Sequence, residues 1–302
     1  AKGDYRHFML KEICEQPDAI IASLMGRLSP NKGLFNLADF NLNIEEIKKI
    51  SKIVLTGMGT SLHAAMLARL WMERIAGIPA EWDNSSEFRY REPLLEKDSL
   101  FISISQSGET ADTLAAMEEA RTKNITQITL CNYLNTQASE IANQTLQIRA
   151  GLEVGVAATK TFTCSLVTLY TLAIYFGVQR NHLSLKQAAT LAEELSRLPE
   201  MIGGVLVDQS QYEELASKYH TSSDFLFLGR GYNYPVALEG ALKLKEVSYI
   251  HAEGYPAGEM KHGPISLIDD NMPVVALVLK DSLYEKMLNT VNEAKSRGAI
   301  VI

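Results

Sequence analysis

Cysteine is scarce in this sequence of 302 residues, which contains only Cys14, Cys131 and Cys164. The three are scattered and odd in number, so they have the spacing of neither a disulfide framework nor a metal site. No other cluster of His, Asp, Glu or Cys has metal-ligand spacing, and we predict neither a metal nor a cofactor. Cysteines used in this way indicate a protein of the reducing cytoplasm.

Long apolar runs and an excess of positive charge are lacking too. The longest apolar run, from Ser165 to Val178, is too short to span a membrane and predicts a buried helix. The polar start of the chain argues against a signal peptide. A net charge of −7, without any block of Lys and Arg, argues against nucleic-acid binding. We therefore expect a globular protein with neither a membrane nor a nucleic-acid partner.

Short apolar segments alternate along the chain with segments of helical periodicity. This alternation predicts an α/β fold in which a mostly parallel sheet lies between two layers of helices. Gly57-Met58-Gly59 ends one predicted strand, and Gly229-Arg230-Gly231 ends another 172 positions later. The same offset aligns two further pairs of apolar segments, around Ile104 and Ala276 and around Ile128 and Ile300. We infer a tandem duplication of one three-layer αβα sandwich.

The duplication divides the chain into four parts. We expect an N-terminal helical segment at 1–42, a first domain at 43–182, a helical connector at 183–219 and a second domain at 220–302. The second copy stops at Ile302, within the strand that corresponds to the one around Ile128. We therefore expect the second copy to be truncated and the chain to be a piece of a longer protein.

The segment Ser105-Gln106-Ser107-Gly108-Glu109-Thr110 joins a buried strand to a helix. It offers three hydroxyls, a side-chain amide, a glycine and the amides of a helix start, which together can bind a phosphate without positive charge. The alternative is an ordinary helix with a Ser or Thr cap. Thr60 and Ser61 follow another strand at the same sheet edge, where ligands of parallel sheets bind, and this favours the phosphate site.

Acid–base candidates lie in the second copy. Glu239, Lys243 and Glu246 follow one another at spacings of four and three, so they share one face of a predicted helix. A solvated stripe of salt bridges is the alternative. The segment from His251 to Pro264 is predicted to be a stiff loop rich in titratable groups. Its His262 is a candidate site residue, although an ordinary surface histidine fits the sequence equally well.

Three motifs, at 105–110, 241–246 and 258–264, resemble the sugar isomerase (SIS) domains of the glucosamine-6-phosphate synthase family, the isomerising glutamine–fructose-6-phosphate aminotransferases. The resemblance runs from Asp4 to the last residue. It implies a pair of SIS-type, flavodoxin-like domains that take fructose 6-phosphate and ammonia derived from glutamine. The implied product is glucosamine 6-phosphate, so the implied role is in amino sugar biosynthesis.

The resemblance also assigns roles to individual residues. It implies that the phosphate is held by Ser105, Gln106, Ser107 and Thr110, and that the sugar contacts Thr60, Ser61 and the backbone near Val156. Glu246 resembles the base that moves a proton between C1 and C2, with Lys243 and Glu239 as its polar neighbours. His262 resembles the ring-opening histidine, which in the family reaches in from a partner subunit and so implies a homodimer.

The sequence departs from the family in three places. The N-terminal glutaminase and the C-terminal tail with its Schiff-base lysine have no counterpart here, and Ala158 stands where serine is usual. We therefore expect this chain to bind sugar phosphates, including glucose 6-phosphate and glucosamine 6-phosphate, without catalysing the full synthesis. Two alternatives stay open: a phosphosugar-sensing SIS module, and an amino-sugar-phosphate deaminase or deglycase that works without glutamine.

Overall fold

The structure, a computed structural model, describes residues 2–29, 34, 35 and 42–302. The chain divides into two units, Ala1–Val207 and Asp208–Ile302. The division falls inside the segment that the sequence predicts as a helical connector. Residues 1, 30–33 and 36–41 of the predicted N-terminal segment lie outside the described residues.

Unit 1 is built on a five-stranded parallel sheet, preceded by two helices and a short antiparallel pair of strands. Its strands are β1 (Leu28–Ser29), β2 (Leu34–Phe35), β3 (Lys52–Gly57), β4 (Ala80–Asn84), β5 (Ser99–Ile104), β6 (Thr126–Cys131) and β7 (Gln144–Gln147). Its helices are α1 (Phe8–Cys14), α2 (Gln16–Leu24), α3 (Ile44–Lys49), α4 (Thr60–Trp71), α5 (Ser85–Phe88), α6 (Ala111–Thr122), α7 (Gln137–Ile141), α8 (Lys160–Gln179) and α9 (Leu185–Leu206). A π-helical turn, Met72–Ala76, extends α4.

The sheet of unit 1 has the strand order β4-β3-β5-β6-β7, and every neighbouring pair is parallel. Successive side chains of a strand point to opposite faces, so an apolar strand can supply two cores. In β5, Ile102 packs with α4 and α8 on one face, whereas Phe101 packs on the other with Phe88 of α5 and Met117 of α6. Unit 1 is therefore the predicted three-layer sandwich.

Unit 2 repeats this arrangement on a smaller scale. Its strands are β8 (Asp224–Gly229), β9 (His251–Pro256), β10 (Pro273–Ala276) and β11 (Ile300–Val301), and its helices are α10 (Ser210–Tyr219), α11 (Asn233–Ser248) and α12 (Tyr284–Ser296). The four strands are parallel in the order β11-β10-β8-β9. Leu226 and Val274 pack with α12 on one face, and Phe225 packs with Ala241 of α11 on the other.

The two sheets confirm the tandem duplication. At the offset of 172 positions, β8, β9, β10 and β11 correspond to β3, β4, β5 and β6, and the strand orders match. A Cβ at Gly57 would lie 2.7 Å from the carbonyl carbon of Ser61, and one at Gly229 would lie 2.0 Å from the backbone oxygen of Asn233. Each copy therefore needs glycine where its first strand gives way to a helix. No strand of the described residues corresponds to β7 in the second copy.

The predicted stiff loop between His251 and Pro264 is wrong in its first part. His251–Pro256 forms β9, an outer strand parallel to β8, and two short 3₁₀ helices, Ala257–His262 and Pro264–Leu267, follow it. His251 at the start of β9 pairs with Asp224, because its Nδ1 lies 2.9 Å from Oδ1 of that residue. Backbone pairing along β8, rather than proline and glycine alone, fixes the path of this segment.

The apolar run at 165–178 is a buried helix, as predicted, and belongs to α8. By length and composition α8 would suffice to cross a membrane, with a mean hydropathy of 1.5. Yet 67% of its most apolar window is buried inside the structure, as in the core helix of a soluble protein. It packs against α4 and α2, and its apolar side chains share one core with the sheet of unit 1.

Candidate functional site

The turn Ser105–Thr110 is held in one shape by its own hydroxyl groups. Ser105 is 4% exposed, and its Oγ accepts a hydrogen bond of 3.1 Å from the Gly108 amide and lies 3.2 Å from Oγ1 of Thr110. Oγ of Ser107 accepts from the Glu109 amide at 3.1 Å. The side chain of Thr110 makes no capping bond to α6. The hydroxyls therefore shape the turn instead of capping the helix in the ordinary way.

The neighbouring helix α7 fixes the turn from outside. Gly108 has a φ of +69°, and a Cβ there would lie 2.3 Å from Oγ1 of Thr136. Glu109, the acid of the turn, accepts hydrogen bonds from the backbone and side-chain nitrogens of Gln137 at 2.9 and 2.6 Å. Gln137 therefore holds the carboxylate of Glu109 and satisfies its hydrogen bonds, so that the carboxylate does not compete with an anion for the hydroxyls of the turn.

A second turn lies at the same edge of the sheet, at the end of the adjacent strand β3. Gly59 has a φ of +51° and precedes the first residue of α4, Thr60. The amide of Ser61 donates to the Met58 carbonyl at 3.0 Å. Since β3 and β5 are parallel neighbours, their carboxyl ends bring the two turns side by side.

A pocket of about 70 Å³ opens between these turns and α8. It is lined by Thr60, Ser61, Ala64, Gln106, Ala158, Thr161, Phe162 and Ser165. Of the predicted sugar and phosphate residues, Thr60, Ser61 and Gln106 therefore meet at one cavity. The others do not line it: Ser105, Ser107 and Thr110 belong to the adjoining turn, and the side chain of Val156 is 96% exposed.

Sequence reasoning missed the contribution of α8 to this pocket, although it singled out Ala158, which precedes the helix. Thr161 and Ser165 lie one turn apart on an otherwise apolar helix, and both line the cavity. Two hydroxyl residues four positions apart lie on the same face of a helix, and this spacing in an apolar helix could have indicated that Thr161 and Ser165 belong to a polar site. Their bonding is partly internal, because Oγ of Ser165 donates to the Thr161 carbonyl at 2.8 Å.

In unit 2, α11 brings the predicted acid–base residues together. Nζ of Lys243 lies 3.3 Å from Oε1 of Glu239 and forms a very short ion pair with Oε2 of Glu246. Glu239 is 5% exposed, and the side chains of Lys243 and Glu246 are 18% and 31% exposed. The trio is consequently a partly buried network and not a solvated stripe.

His262 lies at the end of the 3₁₀ helix that follows β9 and is exposed. Within the described part of the chain its side chain has no hydrogen bond or ion pair, so its ring is open to an incoming group. In the preceding strand β9, Tyr255 donates its hydroxyl proton to Glu253, and this bond raises the pKa of the tyrosine. Among the described residues, no group of three or more His, Cys, Asp or Glu is arranged to hold a metal ion.

The fold and these two clusters define a class of protein. Residues 46–175 and 218–302 match the family described as SIS domain. This match covers most of the chain, and the chain belongs to the SIS domain family.

Comparison with individual proteins narrows the likeness further. The chain is 46% identical, over 301 residues, to the glutamine–fructose-6-phosphate aminotransferase [isomerizing] of Methanosarcina mazei. All of this chain is covered but only 49% of that relative, so the chain spans about half the length of the curated relatives it matches.

Solved structures agree. The C-terminal domain of glucosamine-fructose-6-phosphate aminotransferase from Francisella tularensis superimposes with a TM-score of 0.95 at 39% identity, covering all of this chain and 84% of that one. The glucosamine-6-phosphate deaminase of Thermotoga maritima has a TM-score of 0.73 at 22% identity, covering 98% and 84% of the two chains, which is a likeness of fold alone. The resemblance found in the sequence is thereby confirmed.

Proposed function

We propose that this chain is the isomerase part of an isomerising glutamine–fructose-6-phosphate aminotransferase. It binds fructose 6-phosphate, and with ammonia that originates from glutamine the whole protein forms glucosamine 6-phosphate. The observation that supports this most strongly is the pocket of unit 1 beside the hydroxyl-rich turn Ser105–Thr110. The proposal is also supported by 39% identity, over the whole of this chain, to the C-terminal domain of glucosamine-fructose-6-phosphate aminotransferase from Francisella tularensis. The proposed compartment is the cytoplasm.

The phosphate would bind at the turn, without a lysine or arginine. Hydroxyls of Ser105, Ser107 and Thr110, the amide of Gln106 and the N-terminal amides of α6 supply donors, and the helix dipole favours negative charge. The hexose would contact Thr60 and Ser61 in the pocket and the backbone near Val156. The same donors would bind the phosphate of glucose 6-phosphate and of glucosamine 6-phosphate as well as that of fructose 6-phosphate, because all three sugars carry the same phosphate ester.

Glu246 is proposed as the base that takes the proton from C1 of the imine and returns it at C2. Its ion pair with Lys243 orients the carboxylate, and the buried Glu239 orients Lys243 in turn. His262 is proposed to open the sugar ring from the partner subunit of a homodimer. The exposure of His262 agrees with a role of this kind.

Calorimetric titration with glucose 6-phosphate, with glucose as the control ligand, tests the phosphate site. Ser107→Ala combined with Thr110→Ala removes two hydroxyl donors, and we expect affinity to fall by at least about tenfold. Thr122→Ala is the matched control, because Thr122 is the last residue of α6, the helix that Thr110 precedes. This variant should bind as the wild type does. Binding of glucose with equal affinity, or an unchanged double variant, would place the phosphate elsewhere.

Deuterium incorporation from solvent into fructose 6-phosphate tests the base. In the natural protein that carries this chain, Glu246→Gln should keep sugar-phosphate affinity and abolish turnover and exchange. Retained turnover would remove Glu246 from this role. Ammonia release from glucosamine 6-phosphate without glutamine would support the deaminase alternative, and tight binding without any turnover in the natural protein would support the sensing module.

A further inference from the structure

The loop at 151–158, between β7 and α8, is anchored by a carboxylate from a distant helix. Glu12 of α1 is 2% exposed. Its Oε1 accepts hydrogen bonds from the amides of Val154 at 2.5 Å and Gly155 at 3.1 Å, and Oε2 accepts from the same Gly155 amide at 3.2 Å. The loop meanwhile exposes its apolar side chains, with Val156 at 96% and Leu152 at 70%. Its position thus depends on backbone anchoring more than on side-chain burial.

A side chain at residue 155 would displace the carboxylate of Glu12 from its present position. A Cβ on Gly155 would lie 2.7 Å from Oε2 of Glu12 and 3.6 Å from Cα of Met9. A buried carboxylate is costly unless it is hydrogen-bonded, and bonds from amides to a charged acceptor are the stronger kind. Glu12 is therefore suited to fixing this backbone, because its two oxygens hold consecutive amides.

A second carboxylate, that of Glu153, connects the loop by hydrogen bonds to the start of α8, which lines the pocket. Oε1 of Glu153 accepts from the amide and the hydroxyl of Thr159 at 2.9 and 3.2 Å. Its other oxygen accepts from the hydroxyl of Thr161 at 2.5 Å. Thr161 lines the pocket, together with Ala158 at the end of the loop. The path from Glu12 to the cavity therefore runs through directly adjoining residues.

We propose that Glu12 is a positioning residue of the sugar site: through the amides of Val154 and Gly155 it fixes the loop that forms one side of the hexose pocket. This inference rests on the proposed function. Glu12 lies before the residues that match the SIS domain, 46–175, so the preceding helix belongs functionally to the site. Because Glu12 does not contact the turn Ser105–Thr110, its loss weakens hexose binding and spares phosphate binding.

The binding test compares two ligands across matched variants. Glu12→Gln keeps the shape of the side chain but replaces one acceptor oxygen by a donor that opposes the loop amides. We expect affinity for glucose 6-phosphate, measured by calorimetry, to fall at least about tenfold. Affinity for inorganic phosphate, measured by ³¹P line broadening, should change less than about twofold. Glu45→Gln, on an exposed ion pair with Lys48, is the control and should change neither.

A merely structural role would lower the unfolding temperature and weaken both ligands alike, and that result, or unchanged glucose 6-phosphate binding, would overturn the proposal. Gly155→Ala tests the same contact from the loop side and should reproduce the selective loss even if Glu12→Gln folds poorly. Amide hydrogen exchange at 154 and 155 should accelerate in Glu12→Gln without any ligand. Failure of the wild type to bind either ligand would instead refute the proposed function, while the exchange result still decides whether Glu12 anchors the loop.

Discussion

Nζ of Lys243 lies 3.3 Å from a carboxylate oxygen of Glu239, whose side chain is almost fully buried. A buried carboxylate depends on such a partner, because water cannot solvate it. The same ammonium pairs with Glu246, so one lysine balances two acids on a single helical face. Lys243 therefore links the proposed base, Glu246, to the buried carboxylate of Glu239, whose charge the fold has to neutralise.

Lys243→Met should therefore destabilise unit 2. It keeps the apolar stem but removes the ammonium from Glu239, and we expect a loss of about 2 kcal/mol, less than for a fully buried pair because Lys243 is partly exposed. Adding Glu239→Gln should restore part of that stability, since it removes the unbalanced charge. Urea unfolding of the wild type, both single variants and the double variant measures the coupling. Strictly additive effects of the two substitutions would show that Lys243 and Glu239 do not act as a unit. Lys48→Met, which removes an exposed ion pair, is the control and should lower the free energy of unfolding by at most about 0.5 kcal/mol.

Gly108→Ala should disrupt the turn Ser105–Thr110. The φ of +69° disfavours any side chain, and the new Cβ would lie 2.3 Å from Oγ1 of Thr136. We expect a loss of stability of at least about 1–3 kcal/mol and loss of glucose 6-phosphate binding. Gly204→Ala is the control: nothing lies within 4 Å of its Cβ, and it should be neutral or stabilise α9 by about 0.5–1 kcal/mol. A Gly108→Ala protein with wild-type stability and binding would contradict the strain argument.

Much of the fold could be predicted from local patterns. The strands around Leu55 and Ile102 carry short apolar runs, the strand around Ile128 alternates polar and apolar residues, and the glycines at 57 and 229 mark the same strand end in two copies. The missed strand β9 was available as well. At the offset of 172 positions it corresponds to β4, whose Ala80-Glu81 is repeated as Ala252-Glu253. Its glycine, proline and titratable residues suggested a loop, but pairing with β8 overrode that local preference.

The candidate sites of the two units were less predictable, because some contacts within a unit join residues that are far apart in sequence. The turn Ser105–Thr110 is local, and so is the face shared by Glu239, Lys243 and Glu246, and both were found. The bond from Val154 to Glu12 spans 142 positions, and no periodicity within either segment reports it. The burial of Glu239 could not be read either, since a stripe of charges at spacings of four and three looks alike on a buried and on an exposed helix.

Lowering the pH should destabilise unit 1, because protonation of Glu15 removes its ion pair with Lys160. The hydrogen bond from Lys160, at 2.7 Å, is the main reason why the pKa of Glu15 lies below its usual 4.5. The folded-state pKa is the lower one, so this carboxylate contributes stability above about pH 4.5 and loses it as the pH falls through the folded pKa. Glu15→Gln should therefore destabilise the protein at neutral pH and converge with the wild type in acid. Chemical unfolding between about pH 7 and pH 3 measures the difference, and a gap that does not narrow would contradict this account.

Thiol reagents should distinguish the three cysteines. Burial raises the pKa of Cys164 to about 12, and burial also raises the pKa of Cys131 despite bonds from its neighbours. Since the thiolate is the reactive form, both should resist a disulfide reagent such as Ellman's in the native protein at neutral pH. Cys14 is half-buried and is the one expected to react, so Cys14→Ser should abolish native labelling, whereas denaturant should expose every thiol that remains. Rapid labelling of Cys164 in the folded protein would mean that the core around α8 opens far more readily than its packing implies.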